Sequence, residues 1–431
     1  MKAMYLALSV VSWVLISVNG LHVAAAESPK ENRRESHHLH LDLEMTGQEY
    51  LAHLEQHKII FAQSKAALQL QDILNTGKRN LDWLKVLNEN RSQKISFSSR
   101  ETQQGYPMHS PREYNPKIVR AAYQKLKDEM PKELAAVIFS QVTLPTSLPV
   151  SDEKYIEWGL KTDRVYQIAA RWLMMEPYMA HLRSRQSEDV RGFYFLSQMS
   201  DRKSKLSDFQ NLPAEEQNQI QTWLIQMCLN SRTTRSQCQQ QFSEAARLQQ
   251  LENMYSRHFS AGQNLWNKMM KIPSTGRFKD VRWQGDENVR IPFRPVKEKE
   301  IADYLQKNLE EEWQAEGFRL FVDFNLKSSH AVFVTFEPGV TPHVPYLGAS
   351  EMVMDANAPI TEYDVQWTIR HEFGHVLGFP DCYVEFYNEP TQSIISYQLD
   401  ITDLMCSRRG QLNARHVAEM KRNYGQVFNK K

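Results

Sequence analysis

Between Gln48 and Ile272 apolar residues return every three or four positions. The stretches "YLAHLEQHKIIFAQSKAALQLQDIL", "KIVRAAYQKLKDEM" and "YIEWGLKTDRVYQIAARWLMM" all carry this period, which is that of one helix face. Pro131 and Pro213 each stand just ahead of such a run, where proline suits a first helical turn. "FSEAARLQQLENMYSRHFSAGQNLWNKMM" predicts one long helix or two. Ser92–Pro116 and Thr143–Val150 break the pattern and read as loops. The Trp, Tyr and Met stripes read as core, and no strict repeat recurs at a fixed period.

Near Lys271 the texture changes. "KIPSTGRFKDVRWQGDEN" mixes glycine, proline and charge without period and reads as a linker, residues 273–288. Beyond it, "VRIPFRP" predicts a short strand. Glu298 to Ala315 predicts an amphipathic helix with Ile301, Leu305, Leu309 and Trp313 on one face. "FRLFVDF", "AVFVTFEPG" and "EMVMDA" predict strands. A helix capped by Thr361, with Asp364 at its third position, then carries Val365, Ile369 and Val376. "NARHVAEMKRNYG" closes the chain as a helix, on which His416 reads as structural. The expected fold class is therefore α+β. A mostly helical domain over 48–272 precedes a smaller domain with a mixed sheet over 289–431.

Composition narrows the class. An apolar content of 41% and a charged content of 24% suit a folded protein, and 431 residues are enough for two or three cores. The formal net charge of +1, with charges mixed along the chain, gives no electrostatic case for nucleic acid. At the start, one lysine, an apolar run from Met4 to Val18, and Ala24 and Ala26 read as a signal peptide, residues 1–26. Cleavage after Ala26 implies export without stable membrane insertion; an uncleaved anchor is the alternative. Residues 27–47 read as a flexible polar arm. His37, His38 and His40 on it could hold a metal weakly, but a solvated tail is the simpler reading. Four cysteines in an exported chain suggest disulfides with three possible connectivities. The local pairing Cys228–Cys238 and Cys382–Cys406 is the simplest.

The chemistry concentrates in "RHEFGHVLGFPDCY", Arg370 to Tyr383. On a helix, four residues turn the chain by about 400°, so His371 and His375 project from one face. Two imidazoles so placed can bind one Zn²⁺. Glu372, rotated about 100° from His371, can act on a water without being a ligand, the place of a general base. A hydrolytic zinc site needs a third protein ligand and an open position. Gly378 can end the helix in a left-handed conformation and turn the chain back. Pro380 extends it, and Asp381 brings a carboxylate. The expected cofactor is one Zn²⁺ per chain on His371, His375 and Asp381.

This spacing, H-E-x-x-H-x-x-G-x-x-D, resembles the metzincin clan of zinc endopeptidases. Its closest likeness is to the snapalysin-type metalloproteases, which use aspartate where most of the clan has histidine. The resemblance covers Val289 to Tyr424 and leaves out the helical half. It implies that Met405 of "DLMCS" forms a methionine turn under the metal. It implies a role for Tyr383 in stabilising the oxyanion, with Tyr387 and Tyr397 as rivals. It also implies that the strand in "YLGASEMVMD" is an edge that pairs with an extended peptide. The stretch between Cys382 and Cys406 departs from the clan's pattern; its aromatic and branched residues could shape a substrate pocket. The expected activity is hydrolysis of protein or peptide substrates, with an optimum above neutral pH because an anionic ligand weakens the Lewis acid.

Two other readings remain open here. A downstream glutamate, Glu385 or Glu389, could be the third ligand of a different zinc peptidase architecture. Alternatively the chain could be an exported binding or scaffold protein with a vestigial zinc site, its helical half docking on a partner. That half could also be a removable pro-domain.

Overall fold

The structure is a computed structural model that describes residues 45–56, 65–273, 277 and 280–425. The signal peptide, the histidines of the arm and part of the linker lie outside the described residues. The first half is helical: α1 (Gly47–Gln56), α2 (Lys65–Asn88), α3 (Pro116–Glu129), α4 (Lys132–Ile138) and α5 (Asp152–Met175). There follow α6 (Met179–Ser184), α7 (Arg191–Gln198), α8 (Arg202–Ser207), α9 (Ala214–Asn230), α10 (Arg235–Arg247) and α11 (Leu251–Met270). Local chemistry sets many of the starts. Asn115 caps α3 through Lys117 N, with Pro116 at the first helical position. Pro131 and Pro213 sit one residue earlier than a first turn, at the N-cap positions of α4 and α9. Thr234 and Gln237 form a reciprocal capping box on α10. The long C-terminal run of this half is two helices, broken at Leu248–Gln250, where Gln249 takes a left-handed φ of +55°.

The second half mixes strands and helices, as the pattern predicts. Strands β2 (Arg282–Gln284), β3 (Asn288–Pro292), β4 (Gln314–Ala315) and β5 (Phe318–Asp323) form one sheet, ordered β2-β3-β5-β4 with β3 and β5 parallel. Helix α12 (Lys299–Glu312) crosses between β3 and β5, and Phe318, Leu320 and Val322 face the core. Strands β6 (Phe333–Glu337) and β7 (Glu351–Asp355) pair in parallel, and a bridge between Phe293 and Val332 links them to β3. Helix α13 (Tyr363–Val376) carries the histidine motif, and α14 (Ala414–Tyr424) closes the chain behind an Asn413–His416 capping box.

Several expectations need correction. The polar arm ends sooner than residue 47: Met45, Thr46 and Gly47 are buried, and Thr46 and Glu49 bond to each other at the start of α1. Thr361 is not the cap of α13; the helix begins after Glu362, which makes no side-chain cap bond. Asp364 is instead drawn to Ser98 Oγ at 2.6 Å and Arg408 at 2.8 Å. The stretch read as a linker is packed where it is described. Arg277 and Asp280 are a buried pair, and β2 belongs to the sheet. Strand β7 is not a free edge, because His343 takes both backbone bonds of Val353 on its outer side.

The largest departure concerns the loop Ser92–Pro116 and the stretch after Asp381. The latter is a hairpin, β8 (Tyr383–Asn388) with β9 (Ser393–Gln398). Within the former lies β1 (Arg112–Tyr114), which adds to β9 antiparallel to give the order β1-β9-β8. Tyr387 and Ile394 of the hairpin belong to the same core as Trp83, Tyr155 and Tyr166 of the helical half. Arg171 of α5 and Glu385 of β8 are fully buried and pair at 3.0 Å, and Ser396 Oγ donates to the same carboxylate at 2.7 Å. The two halves therefore share a sheet and a core.

Candidate metal centre

Helix α13 ends as the glycine requires. Gly378 has φ +90°, its N–H donates to His375 O at 2.9 Å, and Phe379 N–H donates to Gly374 O at 2.9 Å. These are the two bonds of a Schellman motif. The reversal brings the Phe379 carbonyl onto His375 Nδ1 at 2.7 Å. His371 Nδ1 lies 3.1 Å from the Leu404 carbonyl. Each Nδ1 facing a carbonyl oxygen must carry the proton, so each Nε2 presents a lone pair.

Both lone pairs meet Asp381. Its Oδ1 lies 3.2 Å from His371 Nε2 and 3.2 Å from His375 Nε2. These three atoms are buried and make no hydrogen bond. Ligands held about 2.0–2.1 Å from a tetrahedral zinc stand about 3.3 Å apart, so both His–Asp381 separations suit ligands of one ion; Glu372 also has a ligand atom within 4.8 Å of those of the two histidines. Glu372 is buried beside the histidines. Asp381 is the most open of the group, its side chain 18% exposed against 1% and 5% for the histidines. Burial would raise the Asp381 carboxyl, but the two imidazoles hold it well below the usual carboxylate range. Burial pulls both histidines down. For His371 that effect wins, whereas the nearby Asp381 carboxylate pushes His375 up to about 9.

The surroundings fix these groups. Met405 is fully buried, and its sulfur lies against Gly374, where a Cβ would come within 2.2 Å of it. The turn Asp403–Leu404–Met405 is held by Asp403, whose Oδ1 accepts from Met405 N at 2.9 Å and faces His416 Nε2 at 3.1 Å. Its Oδ2 accepts from Arg415 Nε at 2.8 Å and Asn413 Nδ2 at 3.1 Å. Burial would raise this carboxyl too, but His416 and Arg415 hold it well below the usual range. Cys382 pairs with Cys406, and Cys228 with Cys238. The first bridge joins the residue after Asp381 to the residue after Met405. Trp367 stacks on His371 with ring centroids 4.6 Å apart, and Arg408 lies over Trp367. Arg408 also binds Glu49 and Asp364, each at 2.8 Å.

The remaining candidates fall elsewhere. Glu385 is engaged by Arg171, and Glu389 pairs with Arg183 at the surface. Tyr397 donates to Asp189 Oδ1 at 2.9 Å and Tyr387 packs in the helical core. Tyr383 opens β8 two residues after Asp381, with its hydroxyl buried. His416 serves Asp403, as its structural reading implies. Gly374, Trp367 and Asp403 were not singled out from sequence. Gly374 and Asp403 sit inside motifs already quoted, but only the packing of Met405 and the bonds to its turn reveal what they do. Among the described residues, no helix is long and apolar enough to cross a membrane. No protein-family model matches the chain, and no curated protein or solved structure matches it significantly.

Proposed function

We propose that the chain is an exported zinc-dependent endopeptidase. The observation that carries this reading is the approach of His371 Nε2 and His375 Nε2, each to 3.2 Å from Asp381 Oδ1, with each imidazole oriented by a carbonyl behind it. His371, His375 and Asp381 would hold the ion. Bound there, zinc supplies Lewis acidity toward a peptide carbonyl and makes water more acidic. Glu372 takes a proton from water at its carboxylate and returns it to the leaving nitrogen as the C–N bond breaks. The carbonyls of Leu404 and Phe379 keep both imidazoles in the ligating tautomer throughout. Tyr383 donates a hydrogen bond to the developing oxyanion. The N-terminal apolar run, read as a signal peptide, and the two disulfides support export.

The test is zinc content together with casein hydrolysis by the purified chain. Glu372→Gln is expected to keep its zinc and lose hydrolysis by a factor of about 10²–10⁴. Asp381→Ala is expected to lose the zinc. A folded Asp381→Ala protein with full zinc content sinks the reading.

A further inference from the structure

The metal helix is tied on its outer side to a small turn. Gly348 N–H donates to the carbonyl of His375 at 2.8 Å, and Ala349 N–H closes the turn on Tyr346 O at 2.9 Å. Gly348 has φ +82°, the left-handed value that the third position of such a turn requires. Arg277 holds the turn from the other side through Ala349 O at 2.9 Å. The flanks Val344 and Ala349 are buried, so the turn is fixed. On that frame Tyr346 is 69% exposed and Leu347 37% exposed.

Other large apolar side chains are exposed among the described residues: Leu68, Ile118, Val142 and Leu248. They stand singly on the helical half and need no explanation. Tyr346 and Leu347 are neighbours, and they are anchored to a proposed metal ligand. The stretch "TPHVPYLGAS", residues 341–350, carries no lysine, arginine, aspartate or glutamate. The guanidinium beside the turn, Arg277, is buried and already paired with Asp280, and an apolar side chain docked here would bury area against both residues.

We infer that Tyr346 and Leu347 determine specificity, receiving a bulky apolar side chain, such as leucine or phenylalanine, of a peptide bound at the metal centre. The inference rests on the peptidase reading, but its test does not need turnover. The zinc-loaded Glu372→Gln protein is titrated with two fluorescein-labelled octapeptides of glycine, serine and alanine. One carries a central leucine and the other an aspartate there. The leucine peptide is expected to bind at least about tenfold tighter, the scale of one buried leucine. Adding Tyr346→Ser and Leu347→Ser is expected to bring that ratio below about threefold, with fold and zinc content unchanged because both side chains are exposed. Equal binding of the two peptides, or a preference that survives both substitutions, overturns the inference. A preference that behaves as expected in a protein whose wild type leaves casein intact upholds the inference and overturns only the peptidase reading.

Discussion

Burial makes a carboxyl resist ionisation, and Asp163 on α5 is such a group. Burial pushes it up to about 6, and Asp364 across from it adds to the shift; Gln167, the Gly47 backbone and Arg164 oppose it. An unfolded aspartate titrates near about 3.9. Between about pH 4 and 6 the folded chain therefore holds more of this proton than the unfolded chain, and stability falls as pH rises through that window. Asp163→Asn, which keeps an acceptor for Gln167, is expected to be more stable than wild type at pH 7.5 by about 1–3 kcal/mol. The two should converge near pH 4, which urea unfolding at both pH values checks. At this scale the meeting of His371, His375 and Asp381 was legible in the sequence because its spacing is local: one helix turn, one reversal and one extended step. Asp403 and Trp367 were not legible. Their use depends on contacts such as His371 to Leu404, 33 positions apart, that no window of sequence contains.

Elements were legible where a single periodic face decides them. Helices α3, α5, α12 and α13 fall where the pattern of apolar residues puts them. Strand β1 was hidden because three residues carry no period, and its partner lies in the other half of the chain. The aromatic and branched hairpin β8–β9 suggested a pocket lining, whereas almost all its residues are buried against neighbours on both faces. The end of α13 is the element on which the centre turns. Gly378→Ala places a Cβ on a residue at φ +90° and against Ile272 at 3.0 Å. It is expected to lower stability by about 1–2 kcal/mol and to weaken zinc binding, since the Phe379 carbonyl behind His375 moves with it. Calorimetric melting and zinc titration with a competing chelator check both. Unchanged zinc affinity in a destabilised protein would separate the cap from the centre. Removing the Cys382–Cys406 bridge by substituting serine at both positions is expected to cost about 3 kcal/mol from its closed loop, read in the same melts.

At the scale of the molecule, the helical half is packed into the rest of the chain. Arg171 with Glu385, Arg408 with Glu49, Ser98 with Asp364 and the β1–β9 pairing all cross between the halves. Leaving Glu385 buried without its arginine would cost about 3–5 kcal/mol. A protease site inserted at the exposed turn around Gln249 is therefore expected to give two fragments that co-elute under native conditions and keep zinc. A C-terminal fragment that elutes alone, loaded and active, would show that the halves are independent. The pairing of Arg408 with Glu49 spans 359 positions and that of Ser98 with Asp364 spans 266. Contacts so distant in sequence close late and make folding slow. Asp403, Met405 and His416 all follow α13 in the chain, so the floor beneath the two histidines is assembled only after the helix that bears them has been made.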